Sequence, residues 1–248
     1  MTAPAFLDEL LAWRKLDERT VRRLGREYAP NCADADNCAI ADHLYHERGV
    51  ALINARDKTM GAPFENALRE HLRSRLTELD SHRTWVIDPE NKISDFEQYK
   101  HLGLLQQKIR ADPMLRTEFG EDYAIRPDIT IGVSTDPQLL LHAVISVKWS
   151  MRSDRVQNVR PEGALLLRHR RGRAPHFVVV TAEPLPTRIA SIAMTTGELD
   201  TVYHVMFEEL QDAIAAVGTQ EQRDKWHEMV TQNRVRDYHD LPRILTST

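Results

Sequence analysis

Apolar residues recur at near-helical intervals at the start of the chain. Leu7, Leu10, Leu11, Leu16, Val21 and Leu24, set among Arg, Lys and Glu, predict an amphipathic helix over residues 5–28. A polar loop from Pro30 to Asn37 follows and carries Asp34 and Asp36. Further helices are predicted over 39–48, 63–79 and 95–110. Pro63 suits a first turn, where a missing N–H costs little, and Asp112-Pro113 stops the last of the three. The period then shortens. Residues 123–133 and 139–149 are β-rich runs separated by the turn sequence Ser134-Thr135-Asp136-Pro137. A helix-prone stretch spans about 153–171. Residues 176–182, continuously apolar between Pro175 and Pro184, read as a strand covered on both faces. A short helix, a strand over 201–207 and helices over 208–217 and about 219–233 complete the pattern. This order predicts an α/β fold with additional N-terminal helices.

No repeat, low-complexity tract or Gly/Ser linker divides the chain. One domain over 1–248 is expected, with a helical part to about 115, an α/β core over about 120–217 and a C-terminal helix. The 248 residues are 42% hydrophobic and 28% charged, which excludes a disordered or collagen-like chain. No apolar run approaches the ~18–20 residues of a membrane span, and the N-terminus has no signal-peptide pattern. The two cysteines, Cys32 and Cys38, are too few for a disulfide scaffold and suit no common zinc spacing. A reducing cytoplasm is the expected setting. The net charge of −4 argues against a nucleic-acid partner until it is resolved along the chain. Between Lys148 and Arg173 eight basic residues face only Asp154 and Glu162, while the rest carries 25 basic and 35 acidic residues. Such a chain can hold a polyanion in one place and repel it elsewhere. Arg168, Arg170, Arg171 and Arg173 read either as phosphate contacts or as a solvated face.

Period two puts His142, Val144, Ser146 and Lys148 on one side of their strand. Lys148 thus breaks an apolar strand on the side of Ser146, and Asp128 interrupts the preceding run. A carboxylate and a lysine on adjacent strands are costly to desolvate unless paired. A divalent ion resolves the problem. Mg²⁺ favours oxygen ligands, which Asp128, Glu162 and the Val147 carbonyl could supply. Lys148 would then ease hydroxide formation or place a water in line with a phosphate, which is metal-assisted phosphodiester hydrolysis. Directly after the strand comes Arg152-Ser153-Asp154-Arg155. Arginine reads guanine O6 and N7, and aspartate accepts from cytosine N4. Used twice by a two-fold dimer, these residues fit a short palindrome of G and C. Taken singly, Asp128 reads as a turn or cap residue, the Arg-Asp-Arg set as a solvated helix start, and Glu65 as a helix acid favoured by the dipole.

Pro127-Asp128 followed by a strand ending in Lys148 resembles the PD-(D/E)xK nucleases. Ser146 stands where that pattern has an acid, and Glu162 relocates the carboxylate to the next helix. This variant resembles the restriction endonucleases that cut CCGG-containing sites. The stretch from Ser146 to Glu162, with Arg173 to Pro184 and Thr196 to Asp200, is similar to the NgoMIV-type enzymes. A weaker likeness surrounds Asp34 and Gly61-Ala62-Pro63-Phe64-Glu65. The resemblance implies a restriction-endonuclease-like core, a central mixed β-sheet flanked by helices, and type II cleavage of double-stranded DNA at G/CCGGC. It implies metal binding by Asp128, Glu162 and the Val147 carbonyl, catalysis by Lys148 with Ser146 beside it, and a further acid in Glu65. Arg152, Asp154 and Arg155 would read the inner CCGG, and Arg188 and Asp34 the outer base pair. Asp36 and Lys58 fall near the outer pair, where the family example has Ser and Gln. The expected cofactor is Mg²⁺, two per site. The expected assembly is a homo-oligomer, a dimer or a tetramer holding two DNA copies, in a prokaryotic cytoplasm. Another target, or an inactive DNA-binding protein on the same fold, are the competing readings. Pro161 would kink a helix unbroken from Ser153, at ~3 kcal/mol, so the helix starts near Pro161 or bends before Glu162.

Overall fold

The computed structural model describes residues 3–52, 60–119, 127–151, 159–194 and 197–248. Lys58, Arg152, Asp154 and Arg155 lie outside these residues, as does the start of the strand expected from 123.

The helix expected over 5–28 does not form. That stretch holds a 3-10 turn (Ala5–Glu9), strand β1 (Trp13–Lys15), helix α1 (Glu18–Leu24) and strand β2 (Tyr28–Pro30), which pairs antiparallel with β1. Leu7, Leu10, Leu11, Trp13 and Leu16 are all buried, and no single helical stripe buries such a set. Two local signals cut α1 short. The Asp17 carboxylate caps it by accepting the Thr20 N–H at 2.9 Å. Gly25, at φ 67°, ends it in the left-handed region that costs glycine least.

Next come α2 (Ala39–Glu47), α3 (Gly61–Leu79), β3 (Thr84–Val86), α4 (Lys100–Ala111) and α5 (Pro113–Phe119). Phe64, Leu68, Leu72 and Leu76 recur every fourth residue of α3 and are wholly buried, the stripe that makes this segment a helix. Asp112-Pro113 ends α4 as expected, and Pro113 opens α5. Then follow β4 (Ile129–Ser134), β5 (Leu139–Lys148), α6 (Val159–His169), β6 (His176–Thr181), α7 (Pro186–Ala193), β7 (Thr201–His204), α8 (Phe207–Val217), α9 (Gln220–Thr231), β8 (Val235–Asp237) and α10 (Asp240–Ser247).

Among the described residues six strands form one mixed sheet in the order β3-β4-β5-β6-β7-β8. The pairs β3–β4 and β4–β5 are antiparallel, and β5 through β8 run parallel. Helices flank it: α3 packs on β5 and against α10, α7 on β7 and against α9, and α2 against α8. Val144, Ile145, Val179 and Val180 are fully buried at the centre, as expected of parallel strands covered on both sides. The parallel register levels Lys148 with Thr181 and Thr181 with His204. The carboxyl ends of three strands therefore open on one end of the molecule. Pro161 sits in the first turn of α6, where it is tolerated.

Candidate active site

Asp128 stands one residue before β4, and the pairing of Ile129 with Ile145 brings it level with Ser146. Three donors converge on its Oδ2: the Ser146 hydroxyl at 3.3 Å, the Val147 N–H at 2.6 Å and the Lys148 ammonium at 2.8 Å. Strand alternation explains the set. Ser146 and Lys148 share a face, while the Val147 amide lies in the sheet plane and points at its neighbour. Ser146 is buried, but the Lys148 and Asp128 side chains keep 17% and 32% exposure, so the pair remains open to solvent.

Behind Asp128 lies Arg69 of α3, almost fully buried. Its guanidinium donates to the Glu65 carboxylate, to Asn66 Oδ1 at 2.7 Å and to the Asp128 carbonyl at 3.3 Å. One planar fork thus fixes Glu65 relative to Asp128. Glu162, beside Pro161 in the first turn of α6, lies within electrostatic reach of Asp128 and Lys148. Burial first, and then the Asp128 charge, push its carboxyl up to about 7, against the pull of Lys148. With Glu65 and Arg69 included, three acids share two cations, and a divalent cation would relieve that excess of negative charge. Among the described residues no three His, Cys, Asp or Glu side chains gather as a metal site.

A second group lies at the same end of the sheet. Arg188 of α7 donates to the Asp34 carboxylate, and its Nη1 lies 3.8 Å from Glu183 Oε2. Asn31 secures the loop carrying Asp34. Its side chain donates to the Leu10 carbonyl at 2.8 Å and accepts from Tyr45 Oη at 2.7 Å, and its own carbonyl accepts from Trp149 Nε1 at 3.1 Å. The loop is thereby bound to the residue that follows Lys148. Asp36 turns instead to Arg23 in a half-exposed ion pair. Sequence reasoning overlooked Arg69 and Glu183. The signal for Arg69 is its place four residues after Glu65. Glu183 is an acid just past the carboxyl end of a strand in a parallel array, where ligands bind.

A family model described as NgoMIV restriction enzyme matches residues 16–137 and 132–246. The chain belongs to the NgoMIV restriction enzyme family. The type II restriction enzyme NgoMIV of Neisseria gonorrhoeae is 36% identical over 237 residues, covering 82% of this chain and 82% of that protein. Solved structures similar to this NgoMIV-family chain include the complex of restriction endonuclease PspGI with substrate DNA (TM-score 0.40, 13% identity, 82% of this chain and 69% of that one). A pre-specific complex of restriction endonuclease BsaWI with DNA is another (TM-score 0.36, 16% identity, 87% and 76%). As an NgoMIV-family member the chain is a DNA-binding, type II site-specific deoxyribonuclease. Among the described residues no helix is long and apolar enough to cross a membrane.

Proposed function

We propose that this enzyme cuts double-stranded DNA within a palindromic CCGG-containing site, G/CCGGC, by magnesium-assisted attack of water. The convergence of Ser146, Val147 and Lys148 on one oxygen of Asp128, with Glu162 within electrostatic reach, supports this reading best. Asp128, Glu162 and the Val147 carbonyl would hold Mg²⁺, two ions per site. Among the described residues the donors on Asp128 all address Oδ2, so Oδ1 would be the oxygen offered to an ion. Bound Mg²⁺ supplies a Lewis acid that stabilises charge on the phosphoryl oxygens and leaving group. Lys148 neutralises charge at the scissile phosphate and orients the attacking water. Ser146 keeps the Asp128 carboxylate in its rotamer. Glu65, held by Arg69, adds a further acid at the rim.

Arg152, Asp154 and Arg155 read the inner CCGG, and Arg188 with Asp34 reads the outer G·C pair, guanine by the guanidinium and cytosine N4 by the carboxylate. Asp36 and Lys58 are further candidates for contacts near that pair. Their pairing before DNA arrives supports a joint role for Arg188 and Asp34. A palindrome requires at least a two-fold dimer, and a tetramer would hold two DNA copies. The whole chain works as one domain in a prokaryotic cytoplasm.

Plasmid digestion with and without Mg²⁺, followed by mapping of the ends, tests this. Discrete Mg²⁺-dependent ends at GCCGGC are expected. Ends at another sequence would replace the target, and tight binding without cleavage would make the chain an inactive DNA-binding protein.

A further inference from the structure

We infer that Glu183 is a specificity-positioning residue: its buried carboxylate ties Met151, the residue just before the proposed base-reading segment, to the N-cap of the helix that carries Arg188. The inference rests on the base-reading roles proposed above for these two elements.

Glu183 is fully buried, a costly place for an acid unless its oxygens are used. Both are used. Oε2 accepts the Met151 N–H at 2.6 Å and faces Arg188 Nη1 at 3.8 Å. Oε1 accepts the Leu185 N–H at 3.1 Å. Met151 directly precedes Arg152, and Leu185 is the N-cap of α7, which carries Arg188 three residues on. The carboxylate therefore sits between the roots of the two elements and holds each by a backbone donor.

The residue is itself rigidly placed. Its N–H donates to Thr181 Oγ1 at 3.0 Å, and its carbonyl accepts from His204 Nε2 at 3.1 Å. The ends of β6 and β7 thus fix the carboxylate before any DNA binds. The buried Nη1 of Arg188 has no hydrogen bond among the described residues, so the Glu183 charge is what faces it. Glu183 makes no direct contact with Asp128, Lys148 or Glu162 among the described residues. Its loss should change which sequences are accepted rather than how fast a bound cognate phosphate is cut.

Glu183→Gln tests this. The amide keeps the shape but removes the charge opposite Arg188 and turns an NH₂ toward Met151 or Leu185. Single-turnover cleavage is measured on the duplex that plasmid mapping returns, and on duplexes substituted at the outer or the inner base pairs. Wild type, Arg188→Ala, Glu183→Gln and Glu183→Asp are compared. The expected result is a fall of about tenfold or more in discrimination for Glu183→Gln at both outer and inner pairs, the size of one bidentate contact. The saturated cognate rate should stay within about threefold of wild type, and Glu183→Asp should fall between. If Arg188→Ala leaves outer discrimination unchanged, the outer-pair reading fails and Glu183 is judged on the inner pairs alone. If Arg188→Ala relaxes the outer pair while Glu183→Gln discriminates like wild type, the inference is overturned. It is overturned equally if both Glu183 variants fail to fold by circular dichroism, or if the cognate rate collapses with discrimination intact.

Discussion

Asp128 accepts from a hydroxyl, an amide and an ammonium through one oxygen. That places the Lys148 charge within hydrogen-bond distance of the carboxylate that would hold the ion. Lys148→Ala should cut the single-turnover rate by about 10²–10³-fold while cognate binding, read by gel shift, persists. Cleavage near the wild-type rate would remove Lys148 from the mechanism. Arg69 acts one step behind. Arg69→Lys keeps the charge but gives up the planar fork to Glu65, Asn66 and the Asp128 carbonyl. Loss of such a supporting contact should slow cleavage about 10–100-fold at unchanged DNA affinity. These two residues differ in how far the sequence disclosed them. Ser146 and Lys148 show in strand alternation because a polar side chain on a buried strand is conspicuous. Arg69 lies on a helix rich in Arg and Glu, and nothing in that composition marks it as the buried one. Only the packing of α3 on β5 does so.

Helix α6 shows how closely an element must fit to deliver one side chain. At Gly163, next to Glu162, a Cβ would come within 2.7 Å of the Glu198 carbonyl and of the Phe177 ring. Gly163→Ala should force the helix off β6 and cost ~1–3 kcal/mol by overpacking. Cleavage should fall more than the unfolding midpoint implies, because Glu162 moves with the helix. A loss of stability with unchanged activity would show the helix tolerating the shift. His204, at the end of β7, carries a pH dependence. Burial pulls its imidazole down to about 4, against about 6.5 in an unfolded chain. The unfolded state then binds more protons between those values, so this ring's contribution is lost as pH falls from 6.5 toward 4. His204→Asn keeps an acceptor for the Met206 N–H but cannot titrate. Urea midpoints of this variant should decline less on acidification than those of wild type, and parallel curves would contradict the assignment. The elements α3 and β5 are readable because burial imposes their periodicity, and β6 because burial on both faces makes its run continuously apolar. The stretch 5–28 was not, since its leucines are buried from several directions by a turn, a hairpin and a short helix. β3 and β8, three residues each, are too short to show a period.

The basic run from Lys148 to Arg173 is continuous in sequence but divided in space. Lys148 stands at the carboxyl end of β5, level with Thr181 of β6, whereas Arg170, Arg171 and Arg173 come just before His176, which is level with Ala143. The eleven residues of α6 span about 16 Å at 1.5 Å per residue. Arg170→Ala with Arg171→Ala should therefore leave the salt dependence of cognate binding unchanged. Residues that touch phosphates would each lower that slope by about one. The margins of the sheet bear on how copies of the protein meet. Among the described residues it is bounded on one side by Thr84–Val86 and on the other by Val235–Asp237, three residues each. Ribbons so brief give a neighbouring molecule almost nothing to zip onto. Edge-to-edge joining of this sheet with that of another copy is therefore disfavoured, and crowding this enzyme in a test tube should not thread it into fibres.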